Sequence, residues 1–110
     1  MQAVFKKEDI TKALSVTLGV VEKKQTLPII ANVLLEVNEL GFHLTATDLE
    51  SEVRTSGTLE SISSEGRTTT SAKKLNDLCR LIPDGSSIEI KLSGDKIQLK
   101  TSSGKILKYK

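Results

Sequence analysis

Alternation of apolar and polar residues between positions 26 and 52 constrains the fold more than any other feature of the chain. Apolar residues recur at period two on both sides of a break at residues 38–41, which contains a glycine. They are Ile29, Ala31, Val33, Leu35 and Val37 before the break, and Phe42, Leu44 and Ala46 after it. Because the intervening positions are mostly polar, the segment predicts an antiparallel hairpin with one buried face.

Two other segments have helical periodicity. The first covers about residues 8–20, with Lys12, Ser15 and Gly19 opposite a face that contains Ile10, Leu14, Thr17, Leu18 and Val21. The second follows Ser71, a good N-cap candidate, and ends at the Pro-Asp-Gly sequence of residues 83–85. Its core stripe consists of Ala72, Leu75, Leu78, Cys79 and Ile82.

The order strand, helix and three strands occurs twice, in residues 1–59 and in residues 66–110, with residues 60–66 predicted as a loop. A duplication of this kind indicates two equivalent halves. We therefore predict an α+β fold built from a duplicated β-α-β-β-β unit, with both helices on one side of an antiparallel sheet. The last strand, from Lys105, is expected to be an open sheet edge.

Length and cysteine content limit the possible architectures. With 110 residues, the chain predicts a single domain. One cysteine excludes an internal disulfide and any cluster of cysteine metal ligands. No apolar run is long enough to span a bilayer, and residues 1–7 lack the order of a secretion signal, so we expect a cytoplasmic protein.

Charge is unevenly distributed along the chain. Residues 25–65 carry one basic and seven acidic residues, whereas residues 66–110 carry ten basic and four acidic residues. The clustering is compatible with solvated faces that have no function. It is also compatible with a molecule whose helices are positive and whose sheet is negative, which would steer a polyanion to the helices.

Three groups of side chains were weighed as catalytic or metal sites. Asp48, Glu50 and Glu52 project from one strand and could hold Mg²⁺, but such acids are far more often only solvated. His43 is the single histidine and has no evident partner nucleophile. Cys79 lies on the core stripe of its helix, where a buried apolar role is expected. We predict no catalytic residue, no metal and no cofactor.

Two motifs together resemble the first domain of the bacterial DNA polymerase III beta subunit, the sliding clamp. The first contains the Thr-Leu-Pro-Ile sequence at residues 26–29, then Asn32, and the Thr-Ala-Thr-Asp-Leu-Glu sequence at residues 45–50. The second contains the Ala-Lys-Lys sequence at residues 72–74, then Asp77, and the Cys-Arg pair at residues 79–80. The resemblance covers essentially all of residues 1–110.

The resemblance implies a non-enzymatic processivity factor for DNA replication. Subunits of three domains would form a head-to-tail ring dimer around duplex DNA, and this chain would supply one domain. Lys24 and Lys73 match positions where the family contacts DNA, and Lys12 and Arg80 look like further lining of the hole. Polymerase and clamp loader would bind through domains outside these residues.

The same resemblance implies a subunit interface formed by a flank of the second helix and by the last strand. Its residues would be Lys74, Leu78, Leu81, Lys105, Ile106 and Lys108. Lys108 departs from the bulky apolar residue that the family places there, so either Leu107 and Tyr109 pack instead or the interface is more polar. Two other functions stay open: a free-standing α+β adapter that binds protein and not DNA, and a metal-dependent phosphodiesterase.

Overall fold

The structure is a computed structural model that describes residues 1–23, 32–47, 52–102, 104 and 106–109. Two helices and nine strands are formed within these residues. The first half contains β1 (Gln2–Lys6), α1 (Lys7–Lys23), β2 (Asn32–Asn38), β3 (Gly41–Thr47) and β4 (Glu52–Gly57). After β5 (Ser61–Ser64), the second half contains β6 (Gly66–Ser71), α2 (Ala72–Arg80), β7 (Ser87–Ser93), β8 (Lys96–Thr101) and β9 (Ile106–Tyr109). Neither described helix is long and apolar enough to cross a membrane.

The predicted duplication and the antiparallel pairing are confirmed, but the described strands form two sheets and not one. One sheet has the order β5-β1-β7-β8-β9, and the other has the order β4-β3-β2-β6. Each half gives its first strand to the other half's sheet, because β1 pairs with β7 and β6 pairs with β2. Each helix therefore carries the chain from one sheet to the other, which a pattern of local periodicity does not reveal.

The loop predicted for residues 60–66 is wrong in its central part, because Ser61–Ser64 form β5 at the edge of the five-stranded sheet. Ile62 pairs with Ala3 of β1 and packs against the core. A four-residue strand with one apolar side chain gives almost no alternation. Its pairing depends on β1, which is distant in sequence.

Both helices bury one stripe, as their periodicity predicts, although α1 extends beyond residues 8–20 at both ends. The buried residues are Ile10, Ala13, Leu14 and Thr17 in α1, and Ala72, Leu75, Asn76 and Cys79 in α2. Ser71 caps α2 as predicted, since its hydroxyl accepts a hydrogen bond of 3.2 Å from the backbone N–H of Lys74. This bond satisfies one of the unpaired donors of the first helical turn.

Two phenylalanines join the sheets. Phe5 of β1 and Phe42 of β3 are fully buried, with ring centroids 5.1 Å apart and planes inclined by 53°. Gly57 of β4 lies opposite Phe42, and a Cβ added at Gly57 would overlap the Phe42 ring. The absence of a side chain at Gly57 therefore leaves the space that the aromatic pair fills.

Side chains at the start of α1 connect it to the loop after α2. The Lys7 ammonium group donates a hydrogen bond of 2.7 Å to Asp84 Oδ1. Glu8 Oε1 accepts a hydrogen bond of 2.5 Å from the backbone N–H of Gly85, whose φ is +81°. These two side-chain contacts, each between residues 77 positions apart, thus hold the first half of the chain against the second.

We expect Gly57→Ala to lower the free energy of unfolding by about 1–3 kcal/mol, because the new methyl group overpacks the core at Phe42. Gly19→Ala is the matched control, since a Cβ there meets no atom within 4 Å. Alanine in the helix should raise stability by up to about 1 kcal/mol. Urea unfolding of both variants measures the difference, and equal effects of the two substitutions would contradict the packing at Phe42.

The Lys7–Asp84 ion pair should make stability depend on pH. The hydrogen bond from Lys7, and then its charge, lower the pKa of the exposed Asp84 carboxyl below its ordinary value of 3.8. A lowered folded-state pKa gives a contribution that is present above the unfolded-state pKa and is lost as the pH falls through the folded-state value. Wild type should therefore exceed Asp84→Asn in urea midpoint at neutral pH, and the difference should shrink below pH 3.8. Asp77→Asn is the control, and it should retain the pH dependence that Asp84 supplies.

Candidate nucleic-acid interface

The two helices lie side by side and enclose a cleft of about 380 Å³. Residues from α1, two of them exposed and one packed against the core, meet residues from one flank of α2 there. The lining consists of Ser15, Leu18 and Gly19 from α1, and Lys73, Asn76, Asp77 and Arg80 from α2. This shared cleft agrees with the prediction that both helices lie on the same side of the molecule.

Of the basic residues predicted to face DNA, Lys73 and Arg80 are brought together at the cleft, and both are exposed. Lys12 is exposed on α1 but does not line the cleft. Lys24 lies outside the described residues. Within the described part of the chain, neither Lys73 nor Arg80 forms a hydrogen bond or an ion pair. Two exposed cations on one flank of a helix can attract a polyanion without reading its sequence.

Asn76 is a cleft residue that the sequence analysis missed. Only 5% of it is exposed, and its side-chain Oδ1 is enclosed without a hydrogen-bond partner. A buried acceptor that lacks a partner costs about 1–3 kcal/mol, so such atoms are rare. Its place three residues before Cys79 and four after Ala72, on an otherwise apolar stripe, is the sequence signal that could have indicated it.

The expected division of charge between positive helices and a negative sheet is wrong. Lys91 and Lys100 are exposed on strands of the five-stranded sheet, next to buried Ile90 and Leu99, so they occupy its outward face. Glu8 in turn is exposed on α1. Because both layers carry both signs, the basic character of the candidate interface is local to the cleft and its surroundings.

A second candidate surface contains the residues predicted for the subunit interface. On α2, Lys74 is exposed, Leu78 is half-buried and Leu81 is 69% exposed. On β9, Ile106 is 51% exposed and Lys108 is exposed, whereas Leu107 packs against the core. Lys105 lies outside the described residues. The sheet order places β9 at an edge, as predicted, so one side of its backbone has no described neighbour.

The described residues among those weighed for catalysis lie in separate places. His43 Nδ1 lies 2.7 Å from the hydroxyl oxygen of Ser56, its neighbour across the β3–β4 pair. Glu52 is exposed at the start of β4, and Asp48 and Glu50 lie outside the described residues. Cys79 is fully buried, and desolvation raises the pKa of its thiol to about 12, opposed by the charge of Lys7.

Comparison with known proteins identifies a close group of relatives. A family model for the DNA polymerase III beta subunit, N-terminal domain, matches residues 1–108. The chain is similar to the beta sliding clamp of Pseudomonas putida, with 39% identity over 100 residues. It is also similar to the beta sliding clamp of Vibrio cholerae, with 37% identity over 101 residues.

The fold of this chain also resembles that of a solved structure. The DNA polymerase III subunit beta from Pseudomonas aeruginosa superposes with a TM-score of 0.86 at 33% sequence identity. The match covers 98% of this chain and 29% of that one. The matches to the Pseudomonas putida and Vibrio cholerae proteins cover 91% and 92% of this chain. They cover only 27% and 28% of the length of those two proteins. The chain thus spans less than a third of these relatives.

Burial of Cys79 predicts an unreactive thiol. Because its pKa is about 12, the nucleophilic thiolate is scarce at pH values near 8, and the surrounding core blocks access. A thiol-specific chromogenic reagent should therefore label the native protein far more slowly than the urea-unfolded protein. Rapid labelling of the native protein, at a rate close to that of the unfolded chain, would contradict the buried position.

Proposed function

Because the chain belongs to the DNA polymerase III beta subunit family, we propose that its 110 residues form the first domain of a sliding clamp subunit. The domain is non-enzymatic and contributes part of the wall of a ring that encircles duplex DNA during replication in the cytoplasm. The single observation that carries the proposal is the convergence of Lys73 and Arg80 on the cleft between two neighbouring helices.

Contacts with the DNA backbone are the role proposed for this helical surface. Lys73 and Arg80 at the cleft, together with exposed Lys12 and with Lys24, supply cations to phosphates. Phosphate contacts position a protein on a duplex without reading its sequence, and flexible lysine side chains tolerate displacement along the DNA. A few such contacts give weak, salt-sensitive binding. In a closed ring, enclosure of the duplex would provide the retention that these contacts lack.

The second surface is proposed to meet another clamp subunit head to tail. Leu81 and Ile106 are large apolar side chains left exposed, and Lys74 of α2 and Lys108 of β9 are exposed as well. The free side of β9, which has no neighbouring strand among the described residues, can extend a sheet across the junction. Lys105 and Leu78 complete the proposed surface, and its lysines favour an acidic partner. Polymerase and clamp loader would bind domains other than this one.

A matched pair of double variants tests the DNA contact. Lys73→Ala with Arg80→Ala should weaken binding to a short duplex at low salt, because two phosphate contacts are lost. The slope of log affinity against log salt should fall by about 2. The control, Lys91→Ala with Lys100→Ala, removes the same charge from the outward face of the five-stranded sheet.

Affinity and slope are measured by chemical-shift titration of the duplex into labelled protein over a salt series. The control should reproduce the slope of wild type. Equal losses in both double variants would indicate attraction by net charge alone. No loss in the Lys73 and Arg80 variant would favour the adapter function, in which the helical surface does not touch DNA.

A further inference from the structure

We propose that the outward face of the five-stranded sheet is a docking surface for an extended acidic polypeptide segment, held by a cluster of four lysines around Gln98. The strand register defines this cluster. Lys91 of β7 and Lys108 of β9 lie on either side of Gln98 in the same row of the sheet. Lys96 and Lys100 lie two residues before and two residues after it on β8. The inference goes beyond the proposed function and does not depend on it.

All four lysines of the cluster are exposed on the face that points away from the core. Their neighbours along the strands, Ile90, Ile97 and Leu99, are buried, and side chains alternate between the two faces of a strand. With other described residues, none of the four lysines forms a hydrogen bond or an ion pair. Their charges are therefore available to a partner.

The lysines of the cluster repel one another. Each lysine of β8 is a diagonal neighbour of Lys91 and of Lys108, and such neighbours lie about 7–8 Å apart. This separation is within the Debye length of roughly 8 Å at physiological salt, so the repulsion is only partly screened. Lysines often protect an exposed sheet edge, but β7 and β8 are interior strands. Edge protection thus does not explain Lys91, Lys96 and Lys100.

Gln98 leaves the charge of the cluster uncompensated. A carboxylate at this position would lie next to all four lysines, but the chain has a neutral amide there. Among the described strand residues on this face, Glu89 is the one acidic residue, and it lies half-buried opposite Lys100. One carboxylate against four lysines leaves the face positive, which complements an acidic partner.

The spacing of the cluster suits an extended acidic segment. Lys96, Gln98 and Lys100 follow one another at every second position of β8, which is a repeat of about 6.8 Å. An extended chain with acidic residues at alternate positions presents carboxylates at the same repeat, so successive carboxylates can meet successive lysines. The Gln98 amide can donate a hydrogen bond to a carboxylate that lies between them.

A nucleic acid fits this face less well than an acidic polypeptide. Proteins that bind single strands without sequence preference stack the bases on aromatic side chains. Both phenylalanines of this chain are buried in the core, so neither offers such a platform. The lysine cluster therefore supplies charge without a means of holding bases, and charge alone is what carboxylates require.

Chemical-shift titration of the labelled 110-residue chain tests the surface, with a synthetic peptide of alternating glutamate and serine as the probe. We expect saturable shifts of the backbone amides of β7 and β8 and of the Gln98 side-chain amide. The affinity should fall as salt is added, because the charges lie at the surface. A peptide of alternating lysine and serine is the control probe, and saturable shifts of the same amides with it would contradict the proposal.

A pair of double variants separates the lysine cluster from the net charge of the chain. Lys91→Ala with Lys100→Ala should weaken binding of the acidic peptide roughly 3- to 10-fold, the effect of two exposed ion pairs. Lys73→Ala with Arg80→Ala removes the same charge from α2 and should bind the peptide like wild type. Lys108 is left intact because it also belongs to the proposed subunit surface. Equal weakening in both double variants would overturn the proposal.

Gln98→Glu tests the centre of the cluster without removing a lysine. The new carboxylate should compensate the four lysines, so peptide affinity should fall by about 3-fold or more and the urea midpoint should rise. Asn32→Asp is the control, since it changes the net charge equally at an exposed position of the other sheet. It should retain the affinity of wild type. Undiminished affinity in Gln98→Glu would show that the peptide docks elsewhere.

Titrations with other polyanions decide the class of partner. A short duplex forms one arm, and vesicles of phosphatidylserine and phosphatidylcholine form another. If either saturates the Gln98 signals at a lower concentration of negative charge than the peptide does, an acidic polypeptide is the wrong partner. If the Lys73 and Arg80 variant binds the duplex like wild type, the proposed function fails, whereas the peptide result at Gln98 is unaffected. Thermal unfolding of each variant establishes that the fold is retained.

Discussion

Contact between Phe5 and Phe42 is the interaction on which the arrangement of this molecule depends, since it joins one strand from each sheet in the centre of the core. Aromatic scarcity makes the contact more important, because the chain has only two phenylalanines and no tryptophan. Each half also gives its first strand to the sheet of the other half, as β1 pairs with β7 and β6 with β2. Neither half can therefore complete its own core, and the two fold as one unit.

This exchange of strands also decides where the helices lie. Each helix connects a strand in one sheet to a strand in the other. The two helices lie next to each other, and residues from both line the cleft. The position of Lys73 and Arg80 relative to Ser15 and Gly19 is thus a consequence of strand pairing and not of any local motif.

Sequence periodicity predicted the elements and their buried faces, because these depend on neighbours within a few residues. The cap at Ser71 and the buried stripe of Leu75 and Cys79 are examples. Partnership between strands depends on residues far apart in the chain, which is why two sheets were taken for one and β5 for a loop. Charge gave a misleading prediction for a similar reason, since the described basic residues of the second part include exposed sheet residues such as Lys91 and Lys100 as well as Lys73, Lys74 and Arg80 of α2.

Within the candidate site, the exposed cations could be predicted and the buried amide could not. Lys73 and Arg80 were found from the family resemblance, which rests on short motifs in the sequence. Asn76 lies at the border of that stripe, where a helical projection alone does not say whether the next helix covers it. In the folded chain Asn76 lies beside α1 at the cleft and is only 5% exposed, so an ordinary asparagine has an unsatisfied atom. The free-energy cost of burying the Asn76 amide arises from tertiary packing and not from helix formation. For this reason the sequence of the helix alone could not indicate it.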